Sequence, residues 1–354
     1  MTDTARLAEG ISCPAPAAAT DRVQLGHGSG GKMSAALLRE RFLPHFDNDI
    51  LRQLGDAAVL PFAGGELAFS TDTFVVNPVE FPGGNIGSLA VHGTLNDVAM
   101  MGAVPRYFSA GFVVEEGLEL ALLDRVIGAM AAAARTANVP LVTGDTKVVE
   151  RGKADGLYIN TTGIGTLEGP VRPAPHRAAP GDVVLLSGPI GRHGMAIMAA
   201  REGLAFEAAI ESDSALLYPL VKRLGQCLGG ELHVLRDPTR GGVASALNEI
   251  AAASQVGIEL DEGAVQVPGP VAAACEMLGL DPLYVANEGV LLAFVPAARA
   301  GESLDALRAE PLSGDAVAIG RVVAAHAGMV IMRTAIGGSR VVDMLPGDQL
   351  PRIC

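Results

Sequence analysis

The chain has 354 residues, of which 49% are hydrophobic, and its 39 acidic against 26 basic side chains give a formal net charge of −13. This length predicts two, at most three, domains with sizeable cores. The acidic balance argues against general nucleic-acid binding, which requires a basic surface. No apolar run approaches the roughly 18 residues of a membrane span, so none is expected.

The cysteines indicate the redox setting. Cys13, Cys227, Cys275 and Cys354 are widely separated and form no C-x-x-C pair, so neither a zinc knuckle nor a disulfide framework is indicated. A reduced, cytoplasmic setting fits this pattern. Cys227 and Cys275 fall in apolar helical patterns and are predicted core residues. Residues 1–24 lack the apolar core of a signal peptide and are predicted to be a mobile extension.

The first chemical landmark is the glycine-rich stretch Gly26-His27-Gly28-Ser29-Gly30-Gly31-Lys32. It satisfies G-x-x-x-x-G-K, but Met33 stands where a P-loop needs Ser or Thr for magnesium, so it is not a Walker A motif. Two interpretations remain open. One is a flap whose backbone N–H groups approach phosphate, and the other is a flexible linker.

Hydrophobic periodicity, together with Gly and Pro residues that end strands and helices, predicts the secondary-structure elements of the first half. They are strands at 58–62 and 67–70, a helix at 86–101, a strand at 106–115, a helix at 118–137, and strands at 140–149 and 157–167. Asn85 is the predicted N-cap of the first helix and Gly102 its stop. On that helix His92 and Asn96 share one face, where His92 is either a site residue or a satisfied core histidine.

A proline-rich segment, 169–181, separates the halves, and the predicted domains are 25–174 and 175–336. The second half is predicted to contain strands at 183–187, 233–236, 317–323 and 329–333, helices at 191–201, 214–227, 243–254 and 271–278, and an apolar run at 283–295. Ile336-Gly337-Gly338-Ser339 is predicted to be a flexible joint. Residues 337–354 would then be a flexible tail, whose last 16 residues extend at most roughly 50–55 Å.

Aspartates recur at element ends or turns, each of which alone is typical of a cap or turn residue. They are Asp56, Asp72, Asp97 and Asp145 in the first half and Asp237 in the second. Brought together they would repel one another unless a divalent cation held them. Mg²⁺ prefers such oxygen ligands and retains substrate phosphates, and Lys147 and Arg240 would add positive charge at a transferring phosphoryl group.

These motifs carry a family resemblance that spans about residues 25–354. In order they are Gly28-Ser29-Gly30-Gly31, Asp56-Ala57-Ala58-Val59, Ser70-Thr71-Asp72, Asn96-Asp97-Val98-Ala99-Met100-Met101-Gly102-Ala103, Gly144-Asp145-Thr146-Lys147, Arg236-Asp237-Pro238-Thr239-Arg240-Gly241-Gly242, Asn287-Glu288-Gly289 and Pro351-Arg352-Ile353-Cys354. The sequence resembles the HypE family of hydrogenase maturation proteins, in the ATP-using superfamily of aminoimidazole ribotide synthetase and selenophosphate synthetase. The terminal Pro-Arg-Ile-Cys is the family-specific signal.

The resemblance implies a reaction on the chain's own last residue. Cys354 would receive a carbamoyl group from the carbamoyltransferase HypF, and the S-carbamoyl group would be dehydrated to thiocyanate with ATP. Cyanide would then pass to iron on the HypC–HypD complex, for the metal centre of nickel–iron hydrogenases. Glu288 resembles the base and Lys147 its electrostatic or acid–base partner. The implied metal ligands for Mg²⁺ are Asp56, Asp97 and Asp237, and the implied nucleotide contacts are Asn96, Asp145, Thr239, Arg240 and Asp72.

The resemblance also implies an α+β architecture of two mixed α/β domains like aminoimidazole ribotide synthetase, with ATP between them. The N-terminal domain would form a barrel across a homodimer, and the C-terminal domain would be αβα layered with a flexible tail. Two alternatives remain. A sister enzyme that phosphorylates a selenide or ribotide would not need Cys354, and a non-catalytic thiol carrier would not hydrolyse ATP.

Overall fold

The computed structural model of the chain describes residues 31–46, 48–62, 64–203, 209–345, 347, 350 and 352–354. The predicted extension 1–24, Cys13, and Gly28, Ser29 and Gly30 of the glycine-rich stretch lie outside these residues. Among the residues that the structure describes, none of the helices combines the length and the hydrophobicity of a membrane span.

The helices are close to those predicted, with one addition, α9, and a short helical segment at the start. They are α1 (Lys32–Leu37), α2 (Leu43–Phe46), α3 (Ile86–Met100), α4 (Leu120–Ala137), α5 (Arg192–Glu202), α6 (Tyr218–Leu228), α7 (Gly242–Ser254), α8 (Gly269–Leu278) and α9 (Ala300–Arg308). A π-helical stretch, Leu38–Phe42, joins α1 to α2.

The strands also follow the prediction, with β10 and β14 as the main additions. They are β1 (Ala58–Phe62), β2 (Gly65–Phe74), β3 (Glu80–Phe81), β4 (Gly84–Asn85), β5 (Ala103–Glu115), β6 (Leu141–Val149), β7 (Leu157–Leu167), β8 (Asp182–Leu186), β9 (Val234–Arg236), β10 (Gly257–Asp261), β11 (Leu292–Pro296), β12 (Val317–Val323), β13 (Val330–Arg333) and β14 (Ser339–Val342).

The first half builds a five-stranded sheet in the order β1-β2-β7-β5-β6, antiparallel except for the β5–β6 pair. Alternate residues of β7 are buried, and α3 and α4 cover that inner face. The opposite face, here called the outer face, carries exposed apolar residues that include Phe69, Tyr107 and Val113. The sheet is therefore half-covered within one chain.

Helix α3 is buried on almost every side, and its start is fixed as predicted. The Asn85 side chain accepts the N–H groups of Gly87 and Ser88, and Ser88 Oγ accepts the N–H of Asn85, which forms a capping box. A Cβ at Gly87 would lie 2.2 Å from the carbonyl oxygen of Val126, so only glycine permits this approach of α3 to α4. Gly102 follows the helix at φ +76°.

The second half builds a seven-stranded sheet in the order β14-β13-β10-β12-β8-β11-β9. Successive residues of β8 point to opposite faces: Val184 packs in the core that includes α7, and Leu185 packs in the core that includes α6 and Leu307 of α9. Helices thus cover both faces, and the predicted αβα layering is confirmed.

The end of the chain differs from the prediction. Strand β14 pairs antiparallel with β13, with Ser339 opposite Arg333, so the flexible tail expected over 337–354 has to be corrected for residues 339–342. A Gly in the predicted joint, Gly337, makes the hairpin turn at φ +87°. The last described residues, 352–354, lie against the residues that follow β2.

Candidate active site

Three carboxylates meet between the two halves of the chain. Asp56 precedes β1, Asp97 lies on α3, and Asp237 follows β9 directly. One oxygen from each of the three lies within 4.8 Å of the others. These are the three residues that the sequence predicted as metal ligands, and an all-oxygen set of this size matches the ligand preference of Mg²⁺.

Burial dominates the electrostatics of this cluster. It raises the pKa of Asp56 to about 8, although the Arg236 guanidinium counteracts this from 2.6 Å, and Asp237 adds a like charge. Burial, with the nearby Asp237, Asp72 and Asp56, also raises the pKa of Asp97 well above its usual range. The metal-free cluster therefore resists full ionisation, which a divalent cation would relieve.

Two neighbouring side chains orient the carboxylates. Ser70 Oγ donates to Asp97 Oδ2 at 2.7 Å. Arg236 lies between Asp56 and Glu249, with a 2.6 Å contact to each. Sequence reasoning assigned no role to Ser70 or Arg236, although both stand inside the motifs that it singled out.

Glu288 and Asp72 are two further carboxylates, and both interact electrostatically with Asp237 of the first cluster or with Arg240. Burial raises the pKa of Glu288 well above its usual range, the carboxylates of Asp237, Asp72 and Asp213 add to this, and Arg240 opposes it. Burial also raises the pKa of Asp72, and Arg240 opposes that rise. A Cβ on Gly93 of α3 would lie 3.8 Å from Asp72 Oδ2, so the carboxylate packs on the helix surface. Arg240 is thus the cation that faces both Asp72 and Glu288.

The two residues that flank Glu288, Asn287 and Gly289, fix the position of its backbone. Asn287 Nδ2 donates to the carbonyl of Pro238 at 3.0 Å, and its Oδ1 accepts the N–H of Gly191 at 2.7 Å. A Cβ on Gly289 would lie 1.7 Å from the carbonyl oxygen of Asp213. Asn287 and Gly289 therefore fix the backbone from which the buried Glu288, 2% exposed, projects.

The loop after Asp237 leads into the N-terminus of α7. The N–H of Gly242 bonds the carbonyl of Thr239 at 2.9 Å, and both Gly241 and Gly242 have positive φ. Thr239 and Arg240 therefore stand at the positive end of a 13-residue helix, an arrangement that favours phosphate.

Asn96, which the sequence predicts as a nucleotide contact, bonds backbone groups in the structure. It is 1% exposed. Its Nδ2 donates to the carbonyl of Ala215 at 2.9 Å, and its Oδ1 accepts the N–H of Leu217 at 2.8 Å. Because both ends of the amide bind backbone, Asn96 holds the segment before α6 against α3. His92, on the same helix face, bonds Ser214 Oγ through Nδ1 at 2.9 Å, as a satisfied core histidine does.

Lys147 and Asp145 are not brought to the acidic cluster within one chain. Asp72 pairs with Thr161, Thr161 with Ala110 and Ala110 with Gly144, all on the inner face. Asp145 and Lys147 alternate with Gly144, so they lie on the outer face, three strand spacings or about 14 Å from β2. They form an exposed ion pair of 2.6 Å, and the partnership of Lys147 with Glu288 stays a prediction.

The last residue lies near the end of β2. The N–H of Val75 donates to the carbonyl oxygen of Cys354 at 3.0 Å, and Val75 is three residues beyond Asp72. The Cys354 side chain is partly buried against the first core. The other two cysteines that the structure describes differ: Cys275 is a core residue, as predicted, whereas Cys227 is half-buried and bonds Glu302.

A cavity of about 840 Å³ opens beside Asp56. Apolar residues such as Leu38, Leu54 and Ile250 line it, together with Arg236 and Asn248. This volume lies in the range of small-molecule sites, about 300–1,000 Å³. Arg236 lines the cavity and also contacts Asp56, so the cavity adjoins the acidic cluster.

Comparison with known proteins agrees with this geometry. The N-terminal domain profile of the AIR synthase related proteins matches residues 54–167, and the C-terminal domain profile matches residues 179–333. The solved structure of hydrogenase maturation protein HypE in complex with ATP superposes with a TM-score of 0.79 at 52% identity, over 93% of this chain and 98% of that one. The structure of a HypE–HypF complex gives a TM-score of 0.83 at 44% identity, over 88% and 100%.

The two-domain fold and the carboxylates between the domains define an AIR synthase related protein. The carbamoyl dehydratase HypE of Cupriavidus necator is 53% identical over 334 residues, 94% of this chain and 95% of that protein. The chain belongs to the carbamoyl dehydratase HypE family of hydrogenase maturation proteins. The family resemblance and the enzyme class predicted from the sequence are confirmed.

Proposed function

We propose that the chain dehydrates an S-carbamoyl group on its own Cys354 to a thiocyanate, with ATP, and so supplies cyanide ligands for the iron of nickel–iron hydrogenases. The observation that supports this most directly is the backbone pairing of Cys354 with Val75, on the strand extension that carries Asp72. The hydrogen bond supports the proposal because Val75 is three residues, roughly 10 Å of extended chain, from Asp72.

The chemistry requires removal of the amide oxygen, which is a poor leaving group. Transfer of the γ-phosphoryl group of ATP to the carbamoyl oxygen turns that oxygen into part of a phosphate. Loss of the phosphate and of both N–H protons then leaves C≡N on sulfur. Arg240 and the N-terminus of α7 are positioned to bind the phosphoryl group, and the cavity beside Asp56 accommodates the rest of the nucleotide.

Glu288 is the proposed base for the carbamoyl nitrogen. Its burial and three nearby carboxylates raise its pKa, which makes the ionised form a stronger proton acceptor than an exposed carboxylate. Arg240, which lowers that pKa, favours the ionised form. Glu288 therefore combines a position in the acidic site with the basicity that N–H deprotonation needs.

Asp56, Asp97 and Asp237 would hold Mg²⁺. Three carboxylate oxygens within 4.8 Å of one another fit an octahedral oxygen site that keeps water and phosphate ligands. When bound, Mg²⁺ neutralises charge on the nucleotide phosphates. Asp72, outside this set of three, would face the phosphates together with Arg240.

A homodimer joined through the outer face is part of the proposal. The outer face exposes the apolar residues Phe69, Tyr107 and Val113, and β6 stands at the edge of the sheet, a surface that favours association. Lys147 and Asp145 lie on the same face. In such a dimer the Lys147 of one protomer is directed at the other protomer, where it would act on that protomer's substrate.

The proposed partners follow from the chemistry of the terminal thiol. HypF would load the carbamoyl group, because a HypE relative has been solved in complex with HypF. The HypC–HypD complex would accept the cyanide, in the cytoplasm. The domain limits 25–174, 175–336 and 337–354 remain part of the proposal, with the chain crossing from one sheet to the other between β7 and β8.

Mass spectrometry of the C-terminal peptide tests this function. After incubation with HypF, carbamoyl phosphate and ATP, Cys354 should carry first a carbamoyl group and then that group less one water. The Cys354→Ala variant should bind ATP as the wild type does and form no product. ATP turnover on a free small molecule by Cys354→Ala would instead support the sister enzyme, and a carbamoylated chain that hydrolyses no ATP would support the thiol carrier.

A further inference from the structure

The C-terminal residues are held through their backbone. The Arg352 carbonyl accepts the N–H of Asn77 at 3.2 Å and Arg201 Nη2 at 2.7 Å. The Ile353 carbonyl accepts His193 Nε2 at 2.6 Å, and the Cys354 carbonyl accepts the N–H of Val75. These contacts hold the tail through its main-chain oxygens, while the Cys354 side chain packs, partly buried, against the first core.

His193 is the buried member of this set and its tautomer is fixed. A carbonyl only accepts hydrogen bonds, so Nε2 carries the proton that bonds Ile353. In the neutral ring Nδ1 then accepts the hydroxyl of Ser212 at 2.8 Å. His193 is 0% exposed, and Phe81 packs edge-on against it with ring centroids 5.6 Å apart. The ring therefore links the docked tail to Ser212.

The segment that follows Ser212 contacts Glu288 on both sides. The Asp213 carboxylate accepts the N–H groups of Glu288 and Gly289, at 3.2 Å each. The N–H of Ala215 donates to the carbonyl of Glu288 at 3.3 Å. Ser212 Oγ also accepts the N–H of Ser214 at 3.0 Å, which fixes the turn between the His193 contact and the Glu288 contacts.

We propose that His193 and the segment 212–215 form a link that couples docking of the C-terminal tail to the placement of Glu288. This inference rests on the proposed function for its purpose, because it explains how the base is positioned when the substrate group arrives. His193 and Asp213 are positioning residues: His193 contacts the tail backbone, Asp213 contacts the backbone of the base, and Ser212 joins the two.

The test measures exposure of the Cys354 thiol and needs no carbamoyl chemistry. Full-length protein is treated with iodoacetamide, and the alkylation rate of the C-terminal peptide is followed by mass spectrometry. Loss of a hydrogen bond worth about 1 kcal/mol should make alkylation about fivefold faster in His193→Leu. His193→Gln, which keeps an N–H donor, should restore most of the protection, and His233→Leu, which removes a hydrogen bond to Asp182, should alter nothing.

Substitutions at Asp213 test whether the Glu288 segment is coupled to the docked tail. Asp213→Asn should also accelerate alkylation, by about two- to fivefold, although Asp213 does not touch the tail, and the double variant should be no faster than His193→Leu alone. Ser212→Ala should behave as Asp213→Asn does, and provides the test if His193→Leu does not fold. An unchanged rate in Asp213→Asn and Ser212→Ala, or effects that multiply, would overturn the link.

The catalytic readout separates this inference from the proposed function. If the function holds, His193→Leu should slow dehydration of carbamoylated protein, with rescue in His193→Gln. If wild-type protein forms no thiocyanate, the function fails, and the alkylation rates still decide whether tail and Glu288 segment are linked. A His193→Leu rate equal to that of the wild type would overturn the inference whatever the fate of the function.

Discussion

Asn287 donates from Nδ2 to the carbonyl of Pro238 at 3.0 Å, and this bond joins two motifs that lie 49 residues apart in the sequence. It ties the backbone of the proposed base, Glu288, to the loop that carries Asp237 and Arg240. The proposed metal ligand Asp237 and the proposed base therefore share one support. A shift of either loop would move both groups, which is consistent with their use in one reaction.

Asp97→Asn should weaken Mg²⁺–ATP binding and at the same time stabilise the fold. Loss of a carboxylate from the set of three should weaken Mg²⁺–ATP binding at least about tenfold, or about 1.4 kcal/mol, in calorimetry. The same change removes one of several buried like charges, so the metal-free variant should unfold about 2–4 °C above the wild type. Asp124→Asn, an exposed position on α4, is the matched control. Wild-type affinity in Asp97→Asn would remove this residue from the site.

Glu288→Gln should stop the reaction after carbamoyl transfer. Gln fills the same buried space, and the backbone bonds to Asp213 remain, so the fold and the loading of Cys354 should persist. Dehydration should slow at least about 100-fold, because an amide accepts no proton. Intact mass would show the carbamoyl adduct without the later loss of water. Glu276→Gln, exposed on α8, should react normally, and a reactive Glu288→Gln would assign the base elsewhere.

The sequence predicted much of the site because its motifs are local. Asp56 and Asp237 stand at element ends and Asp97 in the last turn of α3, positions that periodicity and turn residues identify, and the family resemblance grouped them. Their convergence could not be deduced from spacing, since it depends on how the two sheets face each other. Strand β6 illustrates another limit: its residues Leu141–Val149 are nearly all exposed, so no alternation of apolar and polar residues revealed which face carries Lys147.

Residues that act through the backbone were the hardest to predict. Asp213 lies in a segment without a motif, and its role appears only because its carboxylate meets two N–H groups of a distant loop. Asn96 was predicted to contact nucleotide because it stands beside Asp97 in a motif. Its amide instead binds the backbone of Ala215 and Leu217. Motif membership identified Asn96 as important without distinguishing a scaffold role from a ligand role.

Lys147 should act across the dimer. Its side chain lies on the outer face, away from Glu288 of its own chain. Lys147→Ala and Glu288→Gln should each be inactive alone. After mixing and subunit exchange, half of the dimers would be mixed and each would have one complete site, so about a quarter of wild-type dehydration should return. No recovery in dimers shown to have exchanged would place Lys147 in the site of its own chain.

His92 should make the stability of the protein sensitive to mild acid. Burial lowers the pKa of this histidine to about 4, whereas in the unfolded chain it is about 6.5. Between these values only the unfolded state binds the proton, so the free energy of unfolding falls as pH falls below about 6.5. The contribution is fully present above that pH and about 1 kcal/mol of it is lost by pH 5.5.

The measurement compares urea unfolding of the wild type and His92→Asn at pH 7.5 and 5.5. Asn keeps a polar group near the position of Nδ1, which bonds Ser214 at 2.9 Å, but does not titrate. The advantage of the wild type over His92→Asn should therefore shrink by about 1 kcal/mol on acidification. A constant difference between wild type and His92→Asn would mean that His92 takes up its proton as readily in the folded protein as in the unfolded chain.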